Sequence, residues 1–186
     1  MHEQTKTRRF LLRDSTSAAH AALDAMVGPL GSMAEYRRYL VGIAGFRLAI
    51  EPCLERSEFG ERTGGWRPTR IAAALRADLA DLAMPDMVRP AMAMRIGSRE
   101  AYLGCAYVIE GSALGARVLI RRAEELGLGA GFGARHLAEQ SATLDNWRAF
   151  TELLDAAEPY DAAAAAAAAN AAFDAARNSF RTLAHV

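Results

Sequence analysis

Apolar positions along this chain recur three and four residues apart, the spacing that lines one face of an α-helix, and no run of alternating β-branched residues bounded by turn signals interrupts them. The pattern predicts an all-α protein. A first helix is expected over residues 5–26, with Leu12, Ala19, Leu23 and Met26 on its inner face, and it stops at Gly28-Pro29-Leu30-Gly31. Ser32-Met33-Ala34-Glu35 has the capping-box spacing, so a second helix opens there and runs to about residue 56, with Pro52 as its kink position. Residues 58–68, rich in glycine and charge, read as a connector, and a third helix covers 69–84 before Pro85 ends it. No element is assigned over 85–97. Ser98 is the expected N-cap of a long central helix that reaches residue 126 and closes at Gly127-Leu128-Gly129. Another helix surrounds Trp147 and Phe150 and ends before Pro159. Beyond Asp161 an unbroken alanine run over 162–169 continues through Phe173, Arg177 and Phe180; the helix propensity of alanine makes this a helix, and its small side chains permit close packing. With no repeat and no break in composition, residues 1–186 are expected to form a single multi-helix domain.

Charge narrows the range of partners. The 22 basic and 22 acidic residues cancel, so no basic field draws nucleic acid or anionic lipid to the surface. Lys6 is the only lysine; an anion clamp here is therefore built from arginine, whose planar fork suits carboxylates. The N-terminal residues include no apolar signal-peptide core, and no uncharged apolar stretch reaches the roughly 20 residues of a membrane span. A cytoplasmic protein without a membrane or nucleic-acid partner is expected. Cys53 and Cys105 are too far apart for a CxxC motif and too few for a disulfide framework, and they read as small buried apolar residues.

Several familiar sites fail on spacing. Gly127, Gly129, Gly131 and Gly133 alternate, but Phe132 stands where a GxGxxG fingerprint needs its last glycine, and no Walker lysine follows. Gly111-Ser112-Ala113-Leu114-Gly115 is not a GxSxG nucleophile elbow and lies within a helical pattern. None of His2, His20, His136 or His185 has a glutamate three residues before it, which removes the helical carboxylate di-iron sites.

Two features remain. His20 has Asp24 one helical turn later, a spacing that suits either a structural pair or a carboxylate that holds Nδ1 protonated and leaves Nε2 as a neutral metal ligand. Gly104, Gly111 and Gly115 fall on one stripe of the central helix, each at a propensity cost of about 0.8–1.0 kcal/mol relative to alanine. Such a stripe admits either a close neighbouring helix or a flat ligand against the backbone.

Two motifs carry a family resemblance that chooses between these readings. Ser15-Thr16-Ser17-Ala18-Ala19-His20-Ala21-Ala22-Leu23-Asp24 resembles the proximal helix of the haem oxygenases, particularly bacterial forms including those associated with bacteriophytochromes. Tyr107-Val108-Ile109-Glu110-Gly111-Ser112-Ala113-Leu114-Gly115-Ala116 resembles their kinked distal helix. The likeness extends from about Leu12 to Phe180, with two departures: Ser112 stands where animal members have an acidic residue, and Ala116 replaces the second of a glycine pair. It implies haem sandwiched between the two helices, with His20 as axial iron ligand, Asp24 behind it, and Gly111, Ser112 and Gly115 on the reacting side. Tyr107, Phe173, Arg13 and Arg177 are implied as further haem contacts, the two arginines as propionate partners, although either could equally be a solvated surface charge.

The implied reaction oxidises haem, at once substrate and cofactor, to biliverdin with release of iron and carbon monoxide. Electrons would come from an external reductase or ferredoxin, since the chain carries no flavin or nicotinamide fingerprint, and a bacteriophytochrome is an implied recipient of the biliverdin. Two rival classes are a non-catalytic haem-binding sensor or carrier, and a helical interaction protein or thiaminase-like enzyme with Cys105 as nucleophile.

Overall fold

The computed structural model describes residues 7–61, 63–84 and 94–181; the predicted start of the first helix before residue 7 and the stretch after Pro85 lie outside them. The described residues form seven α-helices and no strand: α1 (Arg8–Val27), α2 (Met33–Glu55), α3 (Ala72–Asp81), α4 (Arg99–Glu125), α5 (Arg135–Ser141), α6 (Leu144–Ala156) and α7 (Ala162–Arg181), with a 3-10 turn at Glu58–Gly60.

Two helices start at the predicted caps, Ser32 and Ser98, and a third, α7, at an aspartate cap the pattern does not mark. Ser32 accepts a hydrogen bond from the Glu35 amide (3.2 Å), while the Glu35 carboxylate reaches back to the Gly31 amide (2.6 Å), one residue outside the usual capping-box partner. Ser98 accepts from the Ala101 amide (3.0 Å) and Asp161 from the Ala164 amide (3.0 Å). Pro52 sits inside α2.

The starts of α3 and α5 carry no side-chain cap of their own. Each is instead capped by a carboxylate from another helix. Buried Glu51 of α2 accepts from the Ile71 and Ala72 amides at 3.1 Å each, and buried Asp78 of α3 accepts from the Arg135 and His136 amides at 3.0 Å each. This is why α3 begins three residues later than expected and why the sequence pattern gave no sign of α5.

α7 is the axis of the fold, packing against α4, α1 and α2. Its alanines make that closeness feasible: a Cβ built on Gly104 of α4 would lie 2.3 Å from the Ala165 carbonyl oxygen, and one on Gly42 of α2 would lie 2.6 Å from the Phe180 ring. One core cluster joins Leu12, Tyr102, Leu103, Phe150 and Phe173; a second joins Leu40, Leu75, Leu137 and Phe180. α4 is long and apolar enough to cross a membrane, yet it packs here against α7, α5, α6 and α2.

Candidate functional site

α1 and α4 leave the same corner of the molecule. Arg8 donates to the Leu154 carbonyl (3.0 Å) and pairs with the Ala157 carbonyl and Glu158, while Arg99 donates to the Glu158 carbonyl (3.2 Å). From there both run in the same sense as α7. Ala165 meets Gly104, Asn170 donates to the Ser15 carbonyl (3.2 Å), and the Phe173 ring meets the His20 ring edge-on at 5.7 Å. Phe173 is eight residues beyond Ala165 and Gly111 seven beyond Gly104, so at about 1.5 Å per residue both lie roughly 10–12 Å further from the corner. His20, Phe173 and Gly111 therefore share one level, each on a different helix.

At that level α1 is thinly packed, with only Leu12 and Thr16 of its described residues fully buried. The His20 Nδ1–H donates to the Asp24 carboxylate at 2.9 Å, and the two side chains are 61% and 66% exposed. Nε2 is the nitrogen left unused by that bond. On α4, the register Gly111, Leu114, Gly115, Val118 makes one stripe. A Cβ on Gly115 would meet nothing within 4 Å, and Leu114 and Val118 are 52% and 60% exposed, unusual for apolar side chains on the inner helix of a core. Open backbone, exposed apolar side chains and an unused imidazole nitrogen form a set suited to a flat apolar ligand bearing a metal. No cluster of three or more His, Cys, Asp or Glu side chains occurs among the described residues, so His20 would ligate alone.

α1 and α4 come together at Tyr107, on the corner side of this level. Burial pushes the Tyr107 phenol up in pKa, while the Thr16 hydroxyl and the Arg13 charge draw it back, which places residues of α1 and α4 together at that end. Trp147 of α6 stacks obliquely on Tyr107 (5.8 Å) and lies 3.7 Å from where a Gly111 Cβ would be. Arg13 is exposed. Arg177, one turn beyond Phe173 on α7, pairs with Asp174 at 3.0 Å and keeps a buried Nε with no protein partner.

The glycine stripe divides. Of the two readings left open for the stripe, Gly104 takes close helix packing, whereas Gly111 and Gly115 stand clear of α7. Ser112 is turned toward α5: its hydroxyl donates to the Ile109 carbonyl (2.5 Å) and accepts from Gln140. Cys105 is buried, with its thiol pushed up to about 12 by desolvation, which disqualifies it as a nucleophile.

Sequence reasoning missed Trp147 as a site wall, Gln140, and a buried polar group behind the distal stripe. There Glu110 accepts from the Thr69 amide (2.5 Å), the Thr69 hydroxyl (3.0 Å) and Asn146 (3.0 Å), and desolvation raises its pKa. A separate cavity of about 400 Å³ opens at the end of α2, lined by Glu51, Thr69 and Tyr102 among others and by none of the predicted site residues.

Residues 9–182 match the family model described as heme oxygenase. The chain is 32% identical over 149 residues to the heme oxygenase PigA of Pseudomonas aeruginosa, covering 77% of this chain and 75% of that protein. It is also similar to the crystal structure of the NO- and CO-bound heme oxygenase from Neisseria meningitidis, with a TM-score of 0.76 and 26% identity over 96% of this chain and 92% of that one.

Proposed function

The chain belongs to the haem oxygenase family, and from that premise we propose how its own residues carry the family's reaction. The protein converts haem to biliverdin with release of iron and carbon monoxide, using O₂ and electrons from an external donor, and haem is both its substrate and its cofactor. When bound, haem supplies the redox-active iron and the ring that is opened.

In this proposal α1 and α4 would hold haem between them, and the whole chain acts as one domain. His20 would hold the iron through Nε2, with Asp24 bonded to Nδ1 fixing the orientation of the ring. Gly111 and Gly115 would let the α4 backbone approach the opposite face; a side chain at Gly115 would enter open space, and one at Gly111 would meet Trp147. Phe173 and Tyr107 wall the plate, and Ser112 fixes the distal backbone from behind. Arg13 and Arg177 serve as propionate partners, an arrangement supported by the exposed charge of the first and the unpartnered Nε of the second. The observation that carries the reading is the shared level of His20, Phe173 and the open glycine stripe. The electron donor is a reductase or ferredoxin, the site of action is the cytoplasm, and a bacteriophytochrome is a recipient of the product; this last assignment rests on the resemblance of the two motifs to photoreceptor-associated forms.

The test is haem reconstitution of the wild type and of His20→Ala, followed by reductant and air. Wild type should show a Soret band that is lost as biliverdin absorption grows; the variant should bind haem without the imidazole-ligated spectrum and make no biliverdin. Normal turnover by His20→Ala would remove the axial assignment.

A further inference from the structure

The open stripe poses a mechanical problem. Two glycines within five residues weaken α4 at the point where its backbone must be placed most closely, and nothing packs over Gly115 to hold it. The segment is gripped from the other side. Gln140, in the last turn of α5 and only 4% exposed, donates through Nε2 to the Ser112 hydroxyl, which donates in turn to the Ile109 carbonyl at 2.5 Å. Ser112 lies between the two glycines, and a serine bonded to a carbonyl one turn back tends to bend a helix. The chain amide, hydroxyl, carbonyl therefore fixes both the serine rotamer and the local bend.

α5 itself is firmly seated. Asp78 of α3 caps its first turn and accepts from His136 Nδ1 at 2.7 Å, His136 Nε2 lies 3.3 Å from the Tyr39 hydroxyl of α2, and Arg135 pairs with Asp78 and Asp81. Gln140 is thus the far end of a rigid strut running from α2 and α3 to the middle of the distal helix. We propose that Gln140 is a positioning residue of the reaction, acting through Ser112 to set how closely the Gly111–Gly115 backbone approaches the iron-bound ligand. The inference rests on the haem placement given above. Gln140 does not touch haem, and its loss should leave the proximal face unchanged.

Carbon monoxide on reduced, haem-loaded protein is the probe, because its stretching frequency reports the distal surroundings without any turnover. Wild type should give one narrow band. Gln140→Leu should broaden or split it and shift the biliverdin isomer ratio, with haemin affinity held within about twofold. Ser112→Ala, which leaves α5 intact, should reproduce the effect, the double variant should add nothing further, and Ser112→Thr, which retains the hydroxyl, should restore the narrow band. Gly115→Leu is the reference. If it moves the band while Gln140→Leu and Ser112→Ala leave both the band and the isomer ratio unchanged, the role of Gln140 is overturned and the haem placement stands. If Gly115→Leu is also without effect, the haem placement itself fails. Should Gln140→Leu not fold, the Ser112 pair decides alone.

Discussion

Alanine substitution at two glycines of α4, Gly104 and Gly115, separates ligand space from helix packing with one added methyl group. At Gly115 the new Cβ meets nothing within 4 Å, so Gly115→Ala should simply recover helix propensity, about 0.8–1.0 kcal/mol, and raise the stability of the haem-free protein. At Gly104 the same methyl group lies 2.3 Å from the Ala165 backbone oxygen and 3.0 Å from both the Ala168 Cβ and the Ala169 nitrogen. Backbone on both sides cannot yield as a flexible side chain would, so α4 and α7 must separate. Overpacking penalties run to about 3 kcal/mol, leaving a net loss of about 2 kcal/mol after the propensity gain. The two variants should thus differ by about 3 kcal/mol, which in a chain of this size is roughly 6–12 °C in Tm. Thermal and urea melts of haem-free protein, followed by helix circular dichroism, measure this directly. The turnover effects should run the other way, with Gly115→Ala altering isomer ratio or rate per bound haem and Gly104→Ala keeping both. A destabilised Gly115→Ala, or a Gly104→Ala as stable as wild type, would refute the division of the stripe.

Asp24→Ala should lower haem affinity or turnover by 10 to 100-fold, less than His20→Ala, whose activity free imidazole should partly restore; haemin titration and single-turnover spectra distinguish the two. Substituting Arg13 or Arg177 by Glu should shift the biliverdin isomer ratio on chromatography more than binding stoichiometry, and two unchanged ratios would dismiss the propionate roles. The buried His136 is held neutral because desolvation lowers its pKa, whereas an unfolded histidine takes a proton below about 6.5. Its contribution is therefore complete above about pH 6.5 and lost as pH falls below that, so urea midpoints should drop between pH 7.5 and 5 in wild type and less steeply in His136→Gln. Asp78→Ala should cost about 2–4 kcal/mol at pH 7, combining a lost helix cap with a buried imidazole N–H left unsatisfied.

What the sequence made legible follows the range over which its signals act. Ser32 and Ser98 announce α2 and α4 because a cap and the amide it satisfies lie three residues apart in the chain. α5 was invisible for the opposite reason: its cap, Asp78, is 57 residues from the Arg135 amide it receives, and seven residues are too few for a periodic pattern. The same distinction holds in the site. His20 and Asp24 meet within one turn, and their spacing predicts their 2.9 Å contact. Gly104 shares the phase of Gly111 and Gly115, so periodicity alone could not reveal that α7 presses on the first and leaves the others clear. Gln140 was unreadable because its target lies 28 residues away on a helix it reaches only after α5 is seated.

The fold reserves its weakest packing for the surfaces that would meet haem. α7 buries seven residues and α2 twelve, while α1 buries two over its 20 described residues, although Ala19, Leu23 and Met26 lie partly sheltered along it. Leu114 and Val118 likewise stand in solvent on an otherwise well-packed α4. In the haem-free protein the exposed parts of these faces add nothing to stability; a ligand that covers them binds the folded state and not the unfolded one, adding about 2.7 kcal/mol when present at 100 times its Kd. Haemin should therefore raise the melting temperature of wild type, and the gain should survive Gly104→Ala, which damages packing elsewhere, but shrink in His20→Ala and Val118→Asp. A gain of equal size in all four proteins would mean that haem binds somewhere other than between α1 and α4.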